Sequence, residues 1–170
     1  LGEVVNIDTA ARTVGLADRT VPYDRLILAA GATHSYFGHD DWAAHAPGLK
    51  TMTDALEIRQ RVLMAYERAE LATDPNQRRR CLTFVVVGGG PTGVELAGAL
   101  CEIARKTLVQ DFRNIDPSLA RVVLIEGGDA VLAPFPSELR IRALRQLQKL
   151  GVEVLFGRPV SRIDADGVPP

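Results

Sequence analysis

The sequence predicts an α/β fold: a three-layer domain on a parallel central sheet, preceded by a short β-rich piece. Three observations predict it. Between Leu82 and Phe156 the pattern runs strand, helix, strand, helix, strand, and such alternation gives a parallel sheet with crossover helices. The first strand is an apolar, β-branched run that ends in the glycine loop Gly88-Gly89-Gly90-Pro91-Thr92-Gly93 and opens into a helical pattern. The second, Arg121–Ile125, ends in an acid, Glu126, and two glycines, Gly127 and Gly128.

Taken in order, Val4–Ile7 and Arg12–Leu16 read as short strands around a polar turn at Asp8-Thr9. Thr20–Asp24 continues the β character, with Pro22 marking an edge or a strand end. Arg25–Ala32 reads as a buried strand. It ends in small residues, Ala29, Ala30, Gly31 and Ala32, so either a ligand or packed backbone must come close there. Residues 33–50 are loop-like, and Trp42 is the expected packing anchor. His34, His39 and His45 are irregularly spaced with no helix to align them, which favours solvated histidines over metal ligands. Thr51 with Asp54 makes a capping-box start for a long helix carrying Ile58, Val62, Ala65 and Ala69 on one face. Thr73-Asp74-Pro75-Asn76 reads as its end. The one basic run, Arg78-Arg79-Arg80, then falls in a solvated loop.

After the glycine loop the helix can run to about Val109, followed by a connector over 111–117 with turn chemistry at Asp116-Pro117. Ser137 is placed to cap the next helix, whose apolar stripe is Ile141, Leu144, Leu147 and Leu150, and Gly151 ends it. Val152–Phe156 is a third strand. Pro159–Ile163 reads as a fourth, in a return segment. Residues 46–170 should form the α/β domain, and residues 1–45 should belong to a neighbouring one.

Composition narrows the function. The 170 residues allow one or two domains, with 46% hydrophobic and 24% charged residues, ordinary for a globular protein. A net charge of −1 gives no case for nucleic-acid binding or strong electrostatic membrane attraction. Cys81 and Cys101 form no metal or redox spacing, and Cys101 sits on a small-residue helix face as a buried thiol would. The lack of a disulfide framework fits a reducing cytosol. No apolar run reaches the ~18 residues of a membrane span, and no signal peptide is visible. The start without Met and the end in a turn suggest a piece of a longer protein.

Gly88-x-Gly90-x-x-Gly93 fits the dinucleotide-binding spacing in the strand–turn–helix context it requires, and predicts a Rossmann-like nucleotide-binding domain. Gly88 would permit the tight turn off the strand. Gly90 would let a pyrophosphate approach the backbone. Gly93 and Ala97, on one helix face, would let the helix press on the sheet. Free N–H groups at the helix start would offer donors and partial positive charge to phosphates. A plain strand-to-helix turn is the competing explanation.

An acid at the end of the second strand can accept hydrogen bonds from the adenosine ribose and repel a 2′-phosphate, so Glu126 favours NAD over NADP. It lies 33 residues after Gly93, more than the usual ~20, so the first crossover carries an extension. A solvated strand-end glutamate is the alternative. Glu95 is expected in the first helical turn, where either the helix dipole or a nicotinamide could account for it. No nucleophile–base pair stands out, so any redox chemistry must be carried by an organic cofactor.

Val85–Gly98 resembles the NADH-binding motif of the two-dinucleotide-domain flavoproteins, the pyridine nucleotide–disulfide oxidoreductases. Leu28–Ala32 with Ser35-Tyr36-Phe37-Gly38, Leu49-Lys50-Thr51 leading into Ala55–Arg59, Asp111-Phe112-Arg113 and Ile125–Asp129 look like type II NADH:quinone oxidoreductases. The similarity covers nearly the whole chain. It implies NADH over Gly88–Gly93 and Glu126, hydride transfer to FAD in the adjoining domain, and electrons passed on to a quinone. Glu95 matches a family glutamate near the nicotinamide. Ala30, Gly31 and Ala32 match a segment that approaches FAD, so residues 1–45 would be part of the FAD-binding domain. The family's first glycine motif and C-terminal part are absent, so tight FAD binding by this chain is not expected. Membrane contact would come through the C-terminal part, with the parent cytoplasmic and peripheral to the inner face of the membrane, and a homodimer is left open. No metal and no nucleic acid is implied. The alternatives are an NADH oxidase, ferredoxin reductase or disulfide reductase, or a non-catalytic nucleotide-binding module.

Overall fold

A computed structural model describes residues 2–169. The chain divides into two compact units between Thr33 and His34, ahead of the boundary at 45/46 expected from sequence.

The first unit is an antiparallel sheet of β1 (Val4–Asp8), β2 (Thr13–Leu16) and β3 (Thr20–Pro22), in that order. The polar turn forms as the sequence suggests. Asp8 Oδ1 accepts from the N–H groups of Ala10 (2.9 Å) and Ala11 (2.8 Å), a side-chain mimic of a backbone turn. Arg25–Ala32 corrects an expectation. The segment is irregular and exposed, and Ile27 keeps 88% of its surface. A strand needs a neighbour for its N–H and C=O groups, and this run has none among the described residues.

In the second unit, one short 3₁₀ turn, Asp40–Ala44, interrupts the expected loop and buries Trp42. The His39 ring stacks on that indole at 4.3 Å. Helix α1 (Met52–Leu71) starts at the capping box. Thr51 Oγ1 accepts from the Asp54 N–H (3.2 Å), while Asp54 Oδ2 accepts from the N–H groups of Thr51 (2.8 Å) and Lys50 (2.9 Å). The Thr51 and Lys50 backbone bonds hold the Asp54 carboxyl below its ordinary range. Val62, Tyr66 and Ala69 are the buried face of α1.

A further helix, α2 (Pro75–Cys81), occupies what reads in sequence as a loop. Asp74-Pro75 ends α1 but also begins α2. The Asp74 carboxylate caps the Asn76 and Gln77 N–H groups at 3.0 and 3.4 Å, and Pro75 takes the first helical position, where no N–H is needed. Arg78-Arg79-Arg80 is therefore the last helical turn, where cations suit the dipole.

The parallel sheet follows: β4 (Thr83–Val87), β5 (Arg121–Ile125) and β6 (Val152–Leu155), in that order. Helix α3 (Pro91–Glu102) connects β4 to β5 and runs on as a π-helical turn, Ile103–Thr107. Helix α4 (Ser137–Leu150) connects β5 to β6 and stops at Gly151, whose φ of 87° is the left-handed end that glycine permits. Two details of α4 differ from expectation. Pro136 occupies the cap position, so Ser137 is the first helical residue and no side chain caps the helix. Ile141 is half exposed, and the stripe turned to the core is Leu144, Leu147 and Leu150. The return strand expected at Pro159–Ile163 does not form. Gly157 (φ 65°) turns the chain, and Pro159 has no N–H to join a ladder.

One core cluster joins these elements. Ala69, Ala97, Val122 and Leu124 are fully enclosed in it. The Tyr66 ring lies 5.4 Å from Phe84 and 5.8 Å from Phe112, which ties α1 to β4 and to the connector after α3. Burial pushes the Tyr66 phenol up to about 12. Burial likewise raises the Cys101 thiol. The connector is held a second time by Glu70, whose carboxylate accepts from the N–H groups of Arg113 (3.1 Å), Asn114 (2.9 Å) and Ile115 (3.2 Å). No helix among the described residues is long and apolar enough to cross a membrane.

Candidate functional site

The site lies at the carboxyl ends of the parallel strands, where the chain leaves each strand through glycine. Gly88 has φ 103°, a conformation that L side chains avoid, and its N–H donates to the Ile125 carbonyl at 2.8 Å. The turn off β4 is thereby fastened to the end of β5. Gly93 is needed for another reason. A Cβ there would overlap the Gly88 carbonyl oxygen and lie 3.6 Å from Val86 Cγ1. Its bareness, with the enclosed Ala97 one turn on, seats α3 on the sheet.

Gly90 is unlike both. It is the residue before α3, with φ −71°, and a Cβ there would meet nothing within 4 Å. No packing or backbone demand accounts for glycine at that position, and the space above its backbone is open. The α3 N-terminus behind it carries no side-chain cap. Pro91 has no N–H, so Thr92 and Gly93 present the free helix-start donors, together with the positive end of the helix dipole. Pro91 and Thr92 are exposed. An uncapped helix start with free donors is an arrangement that favours an anion.

Glu126 follows β5, half buried beside the cradle. Its Oε2 accepts from the Gly89 N–H at 2.6 Å and its Oε1 from the Gly128 N–H at 2.7 Å. A carboxylate offers about four lone-pair directions, so two remain for hydroxyls. Glu95 is the fifth residue of α3, outside the first turn, which holds no acid. That corrects its expected position. Dipole stabilisation fades beyond the first turn, so it explains Glu95 less well than the sequence suggests. The side chain is exposed. Ala30, Gly31 and Ala32 are exposed too, in the irregular segment of the other unit, with Gly31 at φ 77°.

Sequence reasoning therefore finds Gly88, Gly90, Gly93 and Glu126 at one place. Gly89, expected with them as a cofactor contact, instead gives its N–H to Glu126, and sequence reasoning misses that pairing, the matching one at Gly128 and the residues behind both. Leu132 donates its N–H to the Gly89 carbonyl at 2.7 Å, and Gly157 to the Gly128 carbonyl at 2.9 Å. The sequence carried no signal for them, because turning back onto the backbone two residues on is a habit of Asp and Asn rather than of the longer glutamate. Among the described residues no cluster of three potential metal-ligating side chains occurs.

The model of the family described as pyridine nucleotide-disulphide oxidoreductase matches residues 1–168. The type II NADH:quinone oxidoreductase NdhA of Mycobacterium tuberculosis is 52% identical over 172 residues, covering 99% of this chain and 37% of that protein. The type II NADH:quinone oxidoreductase Ndh of the same organism is 50% identical, with the same coverage. The chain thus spans little more than a third of the length of these curated relatives. Among solved structures, NDH2 from Plasmodium falciparum in complex with NADH superposes with a TM-score of 0.74 at 25% identity, covering 96% of this chain and 34% of that one.

Proposed function

The chain belongs to the pyridine nucleotide-disulphide oxidoreductase family, and from that premise we propose that it is the NADH-binding part of an FAD-dependent NADH:quinone oxidoreductase. The observation that carries the reading is the bare backbone at Gly90, in front of an uncapped helix and beside a strand-end carboxylate. Residues 46–170 are the NAD-binding domain in this reading, and residues 1–45 belong to the FAD-binding domain.

The N–H groups of Thr92 and Gly93 hold the diphosphate of NADH, and Gly90 lets it come within contact of the backbone. Glu126 accepts from the adenosine ribose hydroxyls with its free lone pairs, and its negative charge disfavours the 2′-phosphate of NADPH. Glu95, one turn into α3, borders the nicotinamide. Ala30, Gly31 and Ala32 supply side-chain-poor backbone for contact with the flavin. FAD, when bound, supplies the two-electron acceptor for the hydride and the donor to the quinone. A quinone acceptor places the parent protein at a membrane surface.

Fluorescence titration of the flavin-free protein is the test. Saturable NADH binding is expected, with NADPH bound more weakly. A folded sample that leaves NADH fluorescence unchanged up to millimolar protein would refute the reading.

A further inference from the structure

We infer that Glu126 is a positioning residue for the diphosphate turn as well as a contact for ribose. The inference rests on the NADH site proposed above and adds a second role for one of its groups. The two carboxylate oxygens are divided between two loops. Oε2 holds the N–H of Gly89, inside the glycine turn, and Oε1 holds the N–H of Gly128, in the loop after β5. Each glycine is also held from its carbonyl side, Gly89 by the Leu132 N–H and Gly128 by the Gly157 N–H. The loops leaving β4, β5 and β6 are thus laced into one unit, with a single anionic side chain at its centre.

The buried Gly89 gives its N–H to the carboxylate, which closes that donor to an incoming ligand. The donors left for a diphosphate begin after it, and their direction depends on how the Gly89 peptide is set. The side-chain-free positions fit the same role. A Cβ on Gly89 would lie 2.9 Å from Oε2 and 3.2 Å from Val131 Cγ1, and one on Gly128 would lie 3.2 Å from Oε1. Each would press on the oxygen that its own amide holds, more tightly at Gly89 than at Gly128. Charge-assisted bonds of this kind are among the stronger ones in proteins. Without the carboxylate, the part-buried Gly89 N–H and the exposed Gly128 N–H lose their acceptor and the turn is free to reorient.

Ribose contact and turn positioning predict different behaviour toward a ligand with no adenosine hydroxyls. Calorimetry of NADH and of its 2′,3′-dideoxyadenosine analogue, on the unsubstituted protein, Glu126→Ala and Glu126→Gln, separates them. The expected result is that both variants bind the analogue about tenfold more weakly than the unsubstituted protein does, the scale of one lost charge-assisted hydrogen bond. Equal affinity of all three proteins for the analogue overturns the positioning role and leaves the ribose contact standing. Failure of the unsubstituted protein to bind either ligand overturns the site reading itself, a pattern distinct from the last.

Glu126→Gln keeps the side-chain volume and guards against misfolding. In its nitrogen–proton correlation spectrum the Gly89 and Gly128 amide protons should both move upfield while the core resonances hold. If those two signals stay in place, the carboxylate is not their partner and the inference falls.

Discussion

At the scale of single residues, three glycines of one motif have three different physical reasons, and substitution should tell them apart. Gly93→Ala puts a Cβ onto the Gly88 carbonyl. It should cost about 2–3 kcal/mol of stability, the upper range for overpacking a tight contact. Thermal or denaturant unfolding reads this directly. Gly90→Val meets open space at an ordinary φ. Its melting should stay within about 1 kcal/mol of the parent, the scale of a changed N-cap, while NADH affinity is lost. A Gly90→Val protein that binds NADH normally would show that no diphosphate passes over that backbone. The spacing of the glycines makes their presence legible in sequence. The distinct reason for each is not, because it depends on which atoms the fold brings opposite. Glu95 illustrates the same limit: its place in the second turn follows from where α3 begins, and Pro91 fixes that start.

At the scale of elements, Tyr66 is the joint between α1, β4 and the connector. Its phenol is raised to about 12 by burial, from an ordinary value of 10.0. Above pH 10 the unfolded chain releases this proton first and the native state retains it, so the unfolded state binds fewer protons. Stability must then fall as pH rises from about 10 to about 12. Denaturant unfolding across that range should show the decline in the parent and a shallower one in Tyr66→Phe. Equal slopes would mean that the phenol is not enclosed.

Helix α2 shows why element boundaries were only partly legible. Asp74-Pro75 is equally good chemistry for stopping one helix and starting another, and only the cap geometry decides. The helix α4 start was misplaced by one residue for a related reason. Pro136 sets the entry to the helix, so Ser137 is already inside it.

At the scale of the molecule, the strand–helix alternation from Leu82 to Phe156 carried the parallel sheet correctly, because long periodic segments bury their apolar faces wherever the sheet forms. Two strand expectations failed, and both failed at pairing. Arg25–Ala32 and Pro159–Ile163 have strand-like composition, but a strand exists only with a partner backbone, and sequence pattern does not supply one. The 33-residue spacing to Glu126 was legible as an extension. Its structure was not, because the π-helical turn, a 3₁₀ turn at Pro117–Leu119 and the Glu70 clasp share it.

The bare Leu26-Ile27-Leu28 run has a practical consequence. A three-residue oily tab is what a neighbouring copy can cover. Concentrated stocks of this polypeptide should grow heavier with time in light scattering, and Ile27→Lys should keep them monodisperse. Storage life would then be governed by a patch far in sequence from the glycine turn, and a reading of poor nucleotide uptake in an aged sample would report clumping rather than chemistry.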